Sequence, residues 1–166
     1  MNQINITGYV PGAIGRITEL HATYYHEHSG FGLFFESKVA TEMSEFLICF
    51  NKERDGFWVA IVNGEIVGSI AIDGIKWESM GVHLRWFIVA PGYQGQGIGN
   101  ALIQDAVNFC KNAKFKRVYL WTFKGLDPAR HLYEKYGFEL AEEHEGAQWG
   151  IMVKEQMFEL KLSGIK

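Results

Sequence analysis

The sequence predicts an α/β chain of the α+β kind: a mixed, mostly antiparallel sheet with helices on both faces. Three observations carry that expectation. Two β-rich runs, residues 57–62 and 65–72, flank Asn63-Gly64, the pair that a two-residue type I′ turn requires, so they form an antiparallel hairpin. A strand, a helix and a strand follow over residues 83–123, which calls for a parallel pair joined by a right-handed crossover. Further helical patterns before and after these strands supply the covering layers.

The elements are justified in chain order. Residues 15–29 carry Ile17, Leu20, Ala22, Tyr24 and Tyr25 on a rough apolar face and predict a helix. Residues 36–50 predict a second, with Val39, Met43, Phe46, Leu47 and Phe50 on one side. After the hairpin comes a strand over residues 83–89, ending before Pro91. On that strand a period of two places His83, Arg85 and Phe87 on one face and Leu84, Trp86 and Ile88 on the other. Residues 98–113 repeat Ile98, Leu102, Ala106, Phe109 and Ala113 at helical spacing, and residues 117–123 form the next strand. Asp127-Pro128 opens a helix, with Asp as N-cap and Pro in the first turn, and Gly137 ends it. A last strand lies around residues 157–162.

Composition narrows the function classes. The chain has 166 residues, 48% hydrophobic and 21% charged, the profile of one ordinary globular domain over residues 1–166. A formal net charge of −3 gives no basic field for nucleic acid. No apolar stretch is long enough to span a membrane, and the polar residues 1–5 lack a signal peptide's pattern, so a cytoplasmic protein is expected. Cys49 and Cys110 sit in apolar surroundings without a Cys-x-x-Cys partner and are expected to be buried free thiols. His21, His26 and His28 lack the acidic or thiol cluster that would complete a metal site, so no metal is expected.

The chemistry concentrates between the strand at Val89 and the helix at Ile98. There the chain reads Ala90-Pro91-Gly92-Tyr93-Gln94-Gly95-Gln96-Gly97-Ile98-Gly99-Asn100. Alternating glycines let backbone come close to a ligand. The free N–H groups of the helix's first turn and the helix dipole favour an anion such as a pyrophosphate. The ATP and GTP loop is disfavoured, because Asn100-Ala101 stand where Lys and Ser or Thr are needed. The dinucleotide fingerprint is disfavoured by the Gly-x-Gly-x-Gly spacing and by the lack of an acidic residue near Val118. A tight turn with no ligand accounts for the glycines as well.

With Gln94-Gly95-Gln96-Gly97-Ile98-Gly99 after Val89-Ala90-Pro91, the chain resembles the GCN5-related N-acetyltransferase (GNAT) superfamily, whose signature is Gln/Arg-x-x-Gly-x-Gly/Ala. Leu132-Tyr133-Glu134-Lys135-Tyr136-Gly137-Phe138 is similar to that family's Leu-Tyr-x-x-x-Gly-Phe, and the Asn63-Gly64 hairpin stands in its usual place upstream. Leu120-Trp121-Thr122 and residues 129–133 look most like the acetyltransferase module found C-terminal to MarR-type regulators; no DNA-binding domain is seen in this chain. One position departs: many members carry an Asn that touches the pantetheine arm where this chain has Leu126.

The resemblance implies a fold whose central parallel pair splays at the cofactor site. It implies acetyl-CoA as cosubstrate, with Gln94, Gly95, Gln96, Gly97, Ile98, Gly99 and Asn100 around the pyrophosphate. Phe87, Ile88 and Val89 would pair with the pantetheine amides and polarise the thioester carbonyl. Tyr133 would be the general acid on the departing sulfur; a core tyrosine is the plainer account of it. A free alkyl amine has a pKa near ~10.4, so a base or a water relay is useful at pH 7. His83 and Glu78 are the candidate bases, although a solvated strand face explains His83 and Arg85 too. Tyr25, Phe31, Phe35 and Arg85 are candidates for contacting the acceptor, the primary amine of a small molecule or peptide. Family members are often dimers, so a homodimer is open. Two functions follow: direct acetyl transfer in a ternary complex, or an acyl-CoA-binding regulatory module without turnover. A nucleotide-phosphate binder of another fold is a third.

Overall fold

The computed structural model describes residues 3–162; Met1 and Asn2 of the polar N-terminus lie outside the described residues. Seven strands form one sheet in the order β1-β2-β3-β4-β5-β7-β6. They are β1 (Ile4–Thr7), β2 (Gly56–Val62), β3 (Glu65–Asp73), β4 (Val82–Val89), β5 (Arg117–Phe123), β6 (Glu139–Gly146) and β7 (Val153–Lys161). Every pairing is antiparallel except β4 with β5, so the expected mixed sheet is present. Asn63 and Gly64 both take positive φ, 51° and 79°, as the type I′ turn between β2 and β3 demands.

Helices cover both faces. On one, α1 (Ala13–Ser29) and α2 (Leu33–Ile48) pack Ile17, Phe35, Val39 and Met43 against Val59 and Ala71 of the sheet. On the other, α3 (Ile98–Asn112) seats Leu102, Ile103 and Ala106 among Val67, Ile70 and Leu84. α4 (Asp127–Lys135) adds Leu132 and Tyr133 to this second cluster.

Two strands are absent from the sequence reading. β1 is only four residues long and pairs at the sheet's edge with β2. β6 runs Glu-Leu-Ala-Glu-Glu-His-Glu-Gly with no buried residue, so no alternation betrays it. Pairing with β7 makes it a strand, and its charges suit an open edge that discourages further pairing. The N-cap of α4 is also corrected: Leu126 holds the cap and Asp127 is already helical, with no side-chain cap bond. Cys110 is buried as expected, while Cys49 is exposed at the end of α2.

The end of α4 explains half of the Leu-Tyr-x-x-x-Gly-Phe pattern. Phe138 N–H donates to Tyr133 O at 3.0 Å and Gly137 N–H to Glu134 O at 3.0 Å, the two bonds of a Schellman cap. Gly137 sits at φ 96°, a conformation that costs a side chain about 1–2 kcal/mol. Phe138 and Tyr133 then make the apolar contact that accompanies such a cap, ring centroids 6.1 Å apart. Gly137→Ala is therefore expected to lower unfolding stability by about 1–2 kcal/mol, read as a shifted urea midpoint at unchanged slope. An unchanged midpoint would show that the cap is not under this constraint.

Candidate active site

The site opens where β4 and β5 part. These strands pair at Val82↔Val118 and His83↔Tyr119 and nowhere beyond. The cause lies on the other edge of β4. Its register against β3 shifts between Ser69 and Ala71, and opposite that shift Trp86 takes φ 50°. A bulge of this kind bends and twists the strand that carries it. Ser69 Oγ holds it by donating to Trp86 O at 2.6 Å. The expected alternation on β4 fails here: Trp86 joins Phe46 of α2, centroids 5.4 Å apart, rather than following Leu84 and Ile88 into the α3-side core. Past His83, the side of β4 that would face β5 is left without strand partners, a row of peptide groups that needs others.

A cavity of about 380 Å³ fills the gap. It is lined by Phe87 and Leu126 near the strand ends, by Tyr133 of α4, by His83 and Arg85 of β4, and by Tyr25, Phe31 and Phe35 from the α1–α2 side. All of these were singled out in the sequence. Glu78 was too, but it is exposed and lies instead on a separate cavity bounded by Trp77, Lys114 and Lys116.

The glycine loop stands at the mouth of this gap. Gly95 and Gly97 have φ 78° and 86°, and Gly97 caps α3 without any side-chain bond. Ala101 N–H reaches Gly97 O at 3.0 Å, so the N–H groups of Ile98, Gly99 and Asn100 precede the first bond of the helix. Gly99 sits where α3 meets β4 and α4: a Cβ added there would lie 3.4 Å from Leu132 Cδ2 and 3.5 Å from Phe87 Cζ, at ordinary contact distance. Gln94 Nε2 donates to Val89 O at 3.1 Å and closes the loop on its strand. The Asn100 side chain turns away from the loop, accepting at Oδ1 from Tyr136 OH and Lys135 Nζ, each at 2.9 Å. Ile98 and Ile88 are buried in the core, so only their main chains are free to meet a ligand.

The electrostatics are uneven. The Tyr133 hydroxyl has no hydrogen-bond partner among the described residues, and burial pushes its pKa up, with Tyr25 adding to the effect. Tyr133 therefore stays protonated and keeps a proton that it can give. His83 stacks on Tyr119, centroids 4.6 Å apart. Burial, then Arg85, Lys38 and Lys76, hold it well below its ordinary value, so it is neutral at pH 7. Arg85 pairs with Glu42 and, at 3.3 Å, with Asp73. Burial opposes ionisation of Glu42, but hydrogen bonds and charge from Lys38 and Arg85 hold its carboxyl below the usual range. Glu42 is thus an anion already occupied by two cations.

Several lining residues escaped the sequence reading. Lys38 and Glu42 stand one helical turn apart on α2, 2.7 Å from each other, a spacing that was legible. Gln148 and Trp149 come from the β6–β7 connection and had no local signal. Trp149 packs on Phe123 and Phe31 at centroid distances of 5.7 and 6.3 Å. The connection is held by buried Glu155, which accepts from Gln148 N at 2.8 Å and Nε2 at 3.0 Å and lies 3.1 Å from His144 Nε2. His21 also lines the cavity. Its Nδ1 is 2.8 Å from Ile17 O, which can only accept, so Nδ1 carries the proton and Nε2 is left as an acceptor. No group of three His, Cys, Asp or Glu among the described residues is placed to hold a metal, and no described helix is long and apolar enough to cross a membrane.

Comparison with known proteins agrees with this geometry. Residues 16–138 match the acetyltransferase (GNAT) family. The chain is 32% identical over 136 residues to an uncharacterized N-acetyltransferase of Methanocaldococcus jannaschii, covering 79% of this chain and 59% of that protein. It is 30% identical over 117 residues to N-acetylaspartate synthetase of Xenopus tropicalis, covering 70% of this chain and 43% of that one. It thus spans about half the length of the curated relatives it matches. Among solved structures it overlays a GNAT acetyltransferase of Staphylococcus aureus with TM-score 0.76 at 21% identity, over 97% of this chain and 100% of that one. It overlays a GNAT acetyltransferase of Elizabethkingia anophelis with acetyl-CoA bound at TM-score 0.64 and 20% identity, over 96% and 98% of the two chains.

Burial of neutral His21 makes stability depend on pH. Its pKa falls from 6.5 to about 4 on folding because burial disfavours the cation. Between those values the unfolded chain binds the extra proton, so stability is full above about 6.5 and is lost as pH falls towards 4. The loss is on the order of 3 kcal/mol at about 1.4 kcal/mol per pH unit. Urea unfolding at stepped pH should show a steeper acid-side decline in the native chain than in His21→Gln; equal slopes would show that His21 is not held neutral.

Proposed function

Because the chain belongs to the acetyltransferase (GNAT) family, we propose that it transfers an acetyl group from acetyl-CoA to the primary amine of a small molecule or peptide by direct attack in a ternary complex. The observation that carries the reading is the parting of β4 from β5, with an uncapped helix start at one end and the Tyr133 hydroxyl on its wall. The residues fit the cofactor. Cβ atoms added at Gly95 and Gly97 would meet nothing within 4 Å, so the loop's outer side is open to the pyrophosphate. The free edge of β4 at Phe87, Ile88 and Val89 supplies partners for the amides of a pantetheine arm. Leu126, at the N-cap of α4, offers that arm an apolar contact in place of a polar one.

Acetyl-CoA supplies the activated thioester. The chain's own groups do the rest. A main-chain N–H of the bent β4 polarises the carbonyl. Tyr133 gives its proton to the departing sulfur, whose thiol has a pKa of about 8.5, so the help is modest. His83, kept neutral, accepts a proton from the incoming amine, directly or through water. The names of relatives such as N-acetylaspartate synthetase support an amino acid as acceptor. The resemblance to the module that follows MarR-type regulators, carried by Leu120-Trp121-Thr122, supports a place near that branch.

A second reading is an acyl-CoA-binding regulatory module without turnover, favoured by Leu126 and by a histidine whose depressed pKa makes it a weak base. Tyr133→Phe separates the two. For the enzyme, amine-dependent release of free thiol from acetyl-CoA falls by on the order of 10²-fold while calorimetric affinity for acetyl-CoA holds. Tight binding with no thiol release from a broad amine panel would establish the regulatory module instead.

A further inference from the structure

The charges around the acceptor half of the cavity are lopsided. Its lining includes three cations, Lys38, Lys76 and Arg85, and one carboxylate, Glu42. That carboxylate is occupied by Lys38 and Arg85, and Arg85 also reaches Asp73. Lys76 makes no ion pair among the described residues, although it lies on the cavity wall. The cavity therefore presents unspent positive charge beside His83. The same cavity is lined by Phe31, Phe35, Phe123 and Trp149, an aromatic wall with edge-to-face and tilted contacts.

We propose that the acceptor is an α-amino acid with an apolar side chain, its carboxylate held by Lys76 with Lys38, its side chain on the aromatic wall. This rests on the acetyl-transfer reading and names the substrate class of that site. A polyamine or a basic peptide end would bring positive charge towards Lys38, Lys76 and Arg85 with no free carboxylate to meet it, a juxtaposition that works against binding. An arylalkylamine without a carboxylate would fill the wall and leave Lys76 unpaired. A carboxylate that also carries the amine answers both halves. About 380 Å³ accommodates a molecule of that size. Positive charge beside the amine also favours its neutral, nucleophilic form. The nitrogen lone pair forms the C–N bond to the acetyl carbon as the C–S bond breaks. The sulfur leaves with that electron pair and takes one proton, while the neutral amine gives up one of its two protons and keeps the other as the amide N–H.

The test uses the full chain, acetyl-CoA and thiol release with L-phenylalanine, L-phenylalaninamide, phenethylamine and spermidine. L-phenylalanine should exceed phenethylamine and the amide by at least about tenfold in kcat/KM, because a site built to pair a charged group rejects analogues lacking it. Lys76→Met and Lys38→Met should each raise KM for L-phenylalanine with little change in kcat and leave KM for phenethylamine where it was. Lys76→Arg should restore most of the affinity. Spermidine or phenethylamine equal to L-phenylalanine would overturn the carboxylate assignment while leaving acetyl transfer intact, as would variants with unaltered KM. If no amine turns over, the acetyl-transfer reading falls, and calorimetry with coenzyme A decides the subsite. L-phenylalanine binding that is lost in Lys76→Met upholds it, and absence of binding overturns it.

Discussion

The hydrogen bond from Ser69 Oγ to Trp86 O, 2.6 Å long, stands under the rest of the structure. It holds a bulky residue at φ 50°, a conformation that costs of order 1–3 kcal/mol unless its surroundings enforce it. The enforcement is visible. Trp86 packs on Phe46, and the Arg85 guanidinium lies 4.2 Å over its ring. Bent at this point, β4 cannot continue alongside β5. The parallel pair ends after two residues on each strand, and a cavity opens where a plain sheet would have been closed.

The two sequence patterns on either side of that opening do structural and chemical work together. The glycine loop offers N–H groups because α3 starts without a side-chain cap. The second pattern is a Schellman cap whose first carbonyl belongs to Tyr133, so the residue that faces the cavity also anchors the helix end. The two are tied to each other: Asn100 in the first turn of α3 accepts from Tyr136 and Lys135 at the end of α4. The start of α3 and the end of the helix that carries Tyr133 are thereby joined.

Much of this was legible in the sequence. The hairpin turn, the glycine loop and the capping glycine are local, and each is specified by residues that only a few conformations accept. What stayed hidden has a common cause. β6 is a strand because β7 pairs with it, not because of its own pattern. The face of β4 on which Trp86 lies was misread because a period of two assumes an unbroken strand, and the bulge depends on Ser69 in another strand. Gln148 and Trp149 reach the cavity from the far end of the chain, joined to it by tertiary contacts alone, with Glu155 holding Gln148. Glu78, close to His83 in sequence, is carried off by the turns before β4 to a different cavity.

The Glu155 clamp divides the cavity's labour. On one side of the wall stand Leu126 and Tyr133, at the cap and in the body of α4, a helix fixed by the main-chain bonds of its Schellman end. The other side is made of side chains on the α1–α2 and β6–β7 connections, docked through Phe31 and Trp149 and pinned from behind by Glu155. The clamp donates nothing to the chemistry and touches no residue of the glycine loop. The side chains in front of it can therefore be exchanged like tool bits in a chuck, reshaping that side of the cavity while the glycine loop is left undisturbed.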